Sequence, residues 1–117
     1  KTVKTVTIPA TVTIDGYTFK VTAVANNVFK NASRLKNVVI GANVKSIGKS
    51  SFYKCKKLAT ITFKGIKAPG VGKNAFKSGK SKVTVKVPKK MKKSQLNKLK
   101  KALKKAGVKK ASYKKTK

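Results

Sequence analysis

A set of apolar residues recurs along this chain every 23 or 24 positions, and this period constrains the fold more than any single residue. The first copy comprises Val24, Phe29, Ala32, Leu35, Val38 and Ile40. The second copy comprises Ile47, Phe52, Cys55, Leu58, Ile61 and Phe63. The third keeps Val71, Phe76, Gly79, Val85 and Val87 but has Lys82 in place of the leucine. Because one such turn cannot bury its own apolar edge, the period predicts stacked turns that share a continuous core.

Each copy ends in a short run where inward and outward residues alternate, which is typical of a strand. In the first copy Val38 and Ile40 point inward, and their neighbours Asn37 and Val39 point outward. The later copies have inward Ile61, Phe63, Val85 and Val87 and outward Thr60, Thr62, Thr84 and Lys86. We expect the outward residues to form rows on one face of a parallel sheet. On the opposite face, tight helical turns are expected to be anchored by a ladder of Phe29, Phe52 and Phe76.

The N-terminal part, residues 3 to 21, is predicted to form strands. The spacing of Leu35, Val38, Ile40 and Val44 also occurs in Val3, Val6, Ile8 and Val12. This match indicates the strand of a preceding, degenerate turn. Two alternating runs then flank Asp15 and Gly16, which predicts a hairpin over residues 12 to 21, because both central residues of a type I′ turn need positive φ. The turn accounts for Asp15 better than a catalytic role does.

The C-terminal part is predicted to contain one helix over residues 94 to 106. Ser94 is the expected N-cap and Gly107 the expected C′ residue. One stripe of the helix is apolar and comprises Leu96, Leu99, Leu103 and Ala106. The other face is basic and comprises Lys98, Lys100, Lys101, Lys104 and Lys105. We expect this helix to close the open end of the stack, the alternative being a membrane-surface segment. Residues 108 to 113 could add a strand, and residues 114 to 117 are expected to form a solvated tail.

The middle copy resembles a known repeat family. In "VTAVANNVFKNASRLKNVVIGANVKSIGKSSFYKCKKLATITF" the pattern stands as Ile47, Gly48, Ser51, Phe52, Cys55, Leu58 and Ile61, and it is similar to the BspA-type (Treponema-type) leucine-rich repeat. The resemblance covers roughly residues 3 to 110, although the first and third copies depart from it at the cysteine. It implies an α/β solenoid, a short leucine-rich-repeat stack of about three turns with an N-terminal β-hairpin and a C-terminal capping helix.

The expected organisation is one domain over residues 1–117. It comprises a hairpin and degenerate turn (1–23), the repeats (24–93), and a capping helix with a basic tail (94–117). The family resemblance further implies a secreted or cell-surface bacterial protein, often an adhesin, with no catalytic motif to transfer. Because the chain begins at Lys1, we expect it to be part of a larger multidomain chain.

The composition excludes most enzymes. The chain has no His, and its only acidic residue is Asp15, so general acid–base pairs and catalytic triads cannot be assembled. A metal site is not expected either, because the chain has one Cys, one Asp and no His to serve as ligands. We therefore expect no catalytic, cofactor-binding or metal-binding residue. Cys55 stands where other copies have Ala32 and Gly79, which favours a small buried residue over a reactive thiol. No apolar run reaches the ~18 residues of a membrane span.

The charge predicts the kind of partner. Thirty-one lysines and one arginine give a net charge of +31 in 117 residues, which attracts polyanions. Since Lys acts as a mobile point charge, many weak contacts are expected with cell-wall teichoic acid, glycosaminoglycan, acidic polysaccharide or host matrix. The candidate ligand-binding residues are Lys54, Lys56, Lys57, Lys77, Lys86, Lys100, Lys101, Tyr53 and Tyr17.

Three other interpretations stay open. A carbohydrate-binding module appended to a secreted glycan-degrading enzyme would stack sugars on aromatic rings, but Trp is absent and the only phenols are Tyr17, Tyr53 and Tyr113. Nucleic acid is expected to bind only non-specifically, because no recognition motif accompanies the charge. In the third interpretation, the lysines only keep the module soluble.

Overall fold

The computed structural model describes residues 5–9, 11–32, 34–77, 83–108 and 111–116. Its elements, in chain order, are β1 (Thr5–Ile8), β2 (Thr11–Ile14), β3 (Tyr17–Lys20), β4 (Ala23–Val24), β5 (Asn37–Ile40), β6 (Ser46–Ile47), β7 (Thr60–Phe63), β8 (Gly70–Val71), β9 (Val83–Pro88), α1 (Lys93–Lys105) and β10 (Ala111–Thr116). Several residues on which the predictions relied lie outside the described residues: Val3, Gly79, Lys82, residues 109 and 110 of the predicted last strand, and Lys117.

Two parallel sheets follow the repeat. The larger sheet has the strand order β1-β5-β7-β9-β10, and the smaller has the order β4-β6-β8. Successive strands pair in the register of the sequence period, with Val38 opposite Ile61 and Ile61 opposite Val85. Each repeat therefore adds one longer strand to the first sheet and one two-residue strand to the second.

The N-terminal predictions are confirmed with one exception. Strand β1 pairs with β5 so that Val6 lies opposite Val38, which is the degenerate turn that the spacing indicates. The hairpin forms from β2 and β3, with φ of 51° at Asp15 and 82° at Gly16. The predicted equivalence of Val12 and Val44 is wrong: Val44 is buried, whereas Val12 lies in the hairpin and is exposed. The hairpin directs its backbone away from the core.

The inward residues form the core as predicted. Val38, Ile61 and Val85 are fully buried, and the next inward residue of each strand is also buried. Leu58 and Cys55 lie beneath them, also without exposed surface. Burial of these aliphatic side chains is the main favourable contribution to stability in a chain of this charge.

The phenylalanine ladder is present, but its backbone is not helical. The rings of Phe29 and Phe52 stack with centroids 5.3 Å apart, and those of Phe52 and Phe76 with centroids 5.0 Å apart. The backbone forms successive turns in place of the predicted helical turns, because Ser50 and Lys54 have positive φ (54° and 59°) and interrupt any helical run. The backbone N–H groups that a helix would have used within one repeat donate to carbonyls of the next repeat.

These inter-repeat bonds form a third ladder beside the two sheets. The Phe29 N–H donates to the Ser51 carbonyl at 2.8 Å, and the Phe52 N–H donates to the Ala75 carbonyl at 2.8 Å. At the end of the stack the Phe76 N–H donates to the Ala106 carbonyl at 3.1 Å. The end of α1 thus accepts the bond that a further repeat would accept.

The C-terminal helix begins earlier than predicted. Its N-cap is Lys92, which makes no side-chain capping bond, so Ser94 lies inside the helix and the capping prediction is wrong. The buried Met91 fixes the chain immediately before the helix, which sets this start. The C-terminal prediction is confirmed, since Gly107 has φ of 106°. The Gly107 N–H donates to the Lys104 carbonyl, and the Val108 N–H donates to the Leu103 carbonyl, which is the usual pattern at a helix end closed by glycine.

A last strand follows the helix and lies three residues later than predicted. Strand β10 pairs in parallel with β9 over residues 111 to 116, with Lys114 opposite Lys86. The predicted solvated tail is therefore wrong for residues 114 to 116. The open edge of β9 offers unpaired backbone groups, and pairing them outweighs the repulsion between neighbouring lysines.

Candidate functional site

The outward face of the larger sheet carries two rows of side chains. The first row is uncharged and comprises Thr5, Asn37, Thr60, Thr84 and Ser112. The second comprises Thr7, Val39, Thr62, Lys86 and Lys114. The Asn37 Nδ2 donates to the Thr5 hydroxyl at 3.4 Å, so side chains within a row are in reach of one another. In this lysine-rich chain the face is uncharged except at its β9–β10 end, and it is polar apart from Val39.

A second surface forms on the turns that follow the phenylalanine ladder. The residues after the three stacked phenylalanines are Lys30, Tyr53 and Lys77. The Lys30 Nζ lies 5.7 Å from the centroid of the Tyr53 ring, and the Lys54 Nζ lies 5.5 Å from it. We name Lys30, Tyr53, Lys54 and Lys77 the Tyr53 cluster. The backbone ladder holds it together, since the Lys54 N–H donates to the Lys77 carbonyl at 2.9 Å.

The Tyr53 cluster unites three of the residues predicted from the sequence and adds one that was missed. Tyr53, Lys54 and Lys77 meet because their repeats stack with the phenylalanines aligned. Lys30 was missed, although its place directly after Phe29 matches that of Tyr53 after Phe52. Such ring contacts contribute on the order of 0.5–1 kcal/mol each when exposed to solvent.

The other predicted residues lie elsewhere. Lys86 is on the outward face of the larger sheet, beside Lys114. The Lys100 Nζ lies 5.1 Å from the centroid of the Tyr113 ring, whose burial raises the pKa of its phenol. Three more predicted residues are exposed: Lys56 and Lys57 in the turn before β7, and Lys101 on α1. Tyr17 is 71% exposed on the hairpin. The predicted set is therefore distributed over the surface.

The charged side chains of the described residues are almost all positive. Every lysine among them is exposed, and so is Arg34. Asp15, also exposed, is their only acidic side chain. No group of three or more potential metal ligands occurs in the described part of the chain. None of the helices formed by these residues is long and apolar enough to cross a membrane.

Cys55 is the only cysteine of the chain, and its thiol is buried. It is fully buried, and its Sγ donates to the Phe29 carbonyl at 3.2 Å. Burial raises the pKa of the thiol, a backbone hydrogen bond with Ala32 partly offsets this effect, and the resulting pKa is about 11. At neutral pH the thiol is therefore protonated and shielded from reagents. The exposed cations among the described residues give this surface a positive potential.

Comparisons with known proteins agree with this geometry. The profile of the BspA type leucine rich repeat region matches residues 22–104 in six copies. A leucine rich cell surface protein from Faecalibacterium prausnitzii A2-165 is 25% identical, with a TM-score of 0.58 over 76% of this chain and 31% of that one. A leucine-rich repeat protein from Bacteroides ovatus ATCC 8483 is 22% identical, with a TM-score of 0.53 over 72% of this chain and 29% of that one. This chain therefore spans less than a third of either protein. No curated protein matches it.

Proposed function

Because this chain belongs to the BspA-type leucine-rich repeat family, we propose that it is a non-catalytic extracellular module that attaches its parent protein to anionic polymers. The ligands are cell-wall teichoic acid, glycosaminoglycan or acidic polysaccharide. The observation that carries the proposal is the exposure of every described lysine around a core that holds none. The cell-surface description of the Faecalibacterium protein supports a secreted or surface location for this one.

The proposed architecture is a single domain, residues 1–117, built as a short α/β solenoid of about three turns. Its stacking sets how the charges are presented. Equivalent positions in successive repeats are separated by one strand spacing, about 4.8 Å. Lysines of neighbouring repeats are thus brought together, as in the Tyr53 cluster, where the Lys30 Nζ lies 5.7 Å from the Tyr53 ring and the Lys54 N–H donates to the Lys77 carbonyl. A linear polyanion lying along the stack would meet cations of more than one repeat.

The proposed mechanism is diffuse and tolerant of geometry. Lysine contributes a mobile point charge without the planar fork by which arginine clamps a carboxylate. Each neutralised anion releases condensed counterions, so the affinity falls log-linearly with salt concentration. Because exposed charges each contribute little, no single lysine is expected to be indispensable.

The test is a salt titration of binding to heparin, teichoic acid, pectin and neutral xylan. We expect binding to the three anionic polymers that weakens steeply with salt, and none to xylan. Neutralising a pair, Lys56→Gln with Lys57→Gln or Lys100→Gln with Lys101→Gln, should weaken binding modestly and flatten the salt slope. The matched Lys→Arg pairs keep the charge and should keep the slope. Salt-resistant binding to xylan would contradict the proposal, and so would absence of binding at low salt.

A carbohydrate-binding module is the second candidate, and the half-buried Tyr53 ring favours it. A ring held by its repeat and flanked by two lysines could stack on a sugar. If so, Tyr53→Ala alone should abolish binding, and salt should have little effect. Under the polyanion proposal, the same substitution changes affinity no more than the loss of one lysine pair. Tyr53→Phe is the control, since it keeps the ring and removes only the hydroxyl.

A further inference from the structure

The hairpin has an apolar face that packs on nothing in the described structure. Val12 lies opposite Phe19, and Ile14 lies opposite Tyr17. Residues opposite one another share a face, so these four side chains lie together. We name them the hairpin apolar face. Their exposed fractions are 38% for Val12, 51% for Phe19, 58% for Ile14 and 71% for Tyr17. The reverse face carries Thr11, Thr13, Thr18 and Lys20.

The repeat does not require this hairpin. Strands β5 and β7 pair with an offset of 23 residues, as Asn37 opposite Thr60, whereas β1 and β5 pair with an offset of 32, as Thr5 opposite Asn37. The difference of 32 − 23 leaves nine residues more than one repeat needs, close to the length of the hairpin. All eight residues of its two strands are exposed. The hairpin is therefore an addition to the stack, and its apolar residues do not serve the core.

The surroundings of the hairpin are basic. A groove of about 470 Å³ lies at its base, and three lysines line it: Lys20, Lys45 and Lys67. Ile66, also 53% exposed, lines the same groove. Because Lys20 belongs to the reverse face, this groove brings cations to the base of the hairpin and not onto its apolar face. Asp15 is the only acid in the whole chain. A second copy of the chain suits this face poorly, because each copy carries a net charge of +31.

We propose that the hairpin apolar face inserts into the headgroup region of a membrane rich in anionic lipids, with the neighbouring lysines on the lipid phosphates. This site adds exposed apolar side chains to the positive charge on which the proposed polymer binding depends. The hairpin would lie along the interface with its apolar face toward the lipid, so that this face enters by roughly 5–10 Å while the reverse face stays hydrated. Tyr and Phe are side chains that favour this depth, where one part of the surroundings is apolar and another hydrated. Juxtamembrane lysines add attraction to anionic lipids.

Asp15 gives the proposal a sharp test, because it sits at the tip of the hairpin and would face the lipid phosphates. Asp15→Asn removes that repulsion, and Asn tolerates the positive φ of 51° as readily as Asp does. We expect tighter binding of Asp15→Asn to vesicles of phosphatidylglycerol and phosphatidylcholine. Unchanged or weaker binding would show that the tip does not approach the lipid.

The absence of Trp from the chain allows the insertion to be observed directly. Phe19→Trp places a single fluorophore on the hairpin apolar face, and Thr18→Trp places it on the reverse face. With the mixed vesicles we expect a blue shift and quenching by brominated lipids for Phe19→Trp, and neither for Thr18→Trp. Equal responses of the two variants would overturn the proposal. A blue shift of Phe19→Trp without vesicles that grows with protein concentration would also overturn it, and would indicate self-association.

A binding comparison separates this site from the polymer-binding surfaces. Ile14→Ser with Phe19→Ser should weaken vesicle binding by about tenfold or more, because two inserted side chains are lost, and should leave heparin binding unchanged. Thr13→Ser with Thr18→Ser is the matched control on the reverse face and should change neither. Protection of the Cys55 thiol confirms that each variant is folded. If vesicle binding survives the Ile14 and Phe19 substitutions, it depends on charge alone and the proposal is wrong.

Discussion

At the scale of single residues, Cys55 is the clearest case of a chemical group controlled by its surroundings. The thiol is buried and donates to the Phe29 carbonyl, and burial raises its pKa to about 11. We expect native protein at pH 8 to resist a thiol reagent and to react with one equivalent once denaturant is added. Rapid stoichiometric labelling of the native protein would show that Cys55 is accessible and would revive a redox role.

The same pKa predicts a loss of stability at high pH. An unfolded thiol ionises near a pKa of roughly 8.5, so the contribution of the protonated Cys55 is complete below that pH. This contribution is lost as the pH rises toward about 11, and the total loss in the free energy of unfolding is on the order of 3 kcal/mol. Urea unfolding from pH 8 to 11 should show this loss as a difference between the protein and Cys55→Ala. Lysine deprotonation changes the stability of both proteins equally, so it does not contribute to the difference. Parallel curves for the two proteins would contradict the prediction.

Phe52 is the central ring of the ladder, stacked on both sides and fully buried. Phe52→Ala should lower the free energy of unfolding by about 3–5 kcal/mol, since it removes core volume and both ring contacts. Phe29→Ala is the comparison, because Phe29 has one stacked neighbour and is only half-buried, so its loss should cost less. Urea denaturation measures both. A cost below ~1 kcal/mol for Phe52→Ala would exclude the ladder from the core.

At the scale of elements, the junction after α1 depends on one glycine. Gly107 has φ of 106°, and an added Cβ would lie 2.6 Å from the Lys77 Cβ. Gly16 also has positive φ, but an added Cβ there meets nothing within 4 Å. Gly16→Ala should therefore cost about 1 kcal/mol for conformation alone, and Gly107→Ala at least twice that. Similar losses in thermal unfolding would show that the helix end does not need this close approach to the last repeat.

The elements differ in how far their sequence predicts them. Period 2 and the apolar stripe locate the strands of the repeats and the helix because each of these has one buried face, as at Ile61 and Leu99. The turns at Ser50 and Lys54 escaped prediction, because neither residue type favours positive φ and the conformation depends on amide bonds between repeats. Lys30 was not predicted as part of the candidate site for a similar reason, because its contact with Tyr53 forms only when the two repeats stack.

At the scale of the whole molecule, the positive charge opposes folding. Thirty-two cations against one acid repel one another across a small surface. Salt screens such repulsion beyond about 8 Å at physiological strength, so the melting temperature should rise between 0.02 and about 0.5 M NaCl. The double variant Lys100→Gln with Lys101→Gln, of lower charge, should show a smaller rise. A melting temperature independent of salt would mean that repulsion is not a significant cost of this fold.

The ladders between repeats also have a mechanical consequence. The outermost strands of the larger sheet, β1 and β10, are each held by one neighbour, so tension across the stack loads one interface at a time from its ends. Each 23-residue repeat that detaches releases roughly 80 Å of extended chain. A tether of this kind lengthens in small steps under drag and leaves the inner repeats attached. Single-molecule pulling should show successive extensions of that size, and one cooperative rupture of the whole stack would contradict this behaviour.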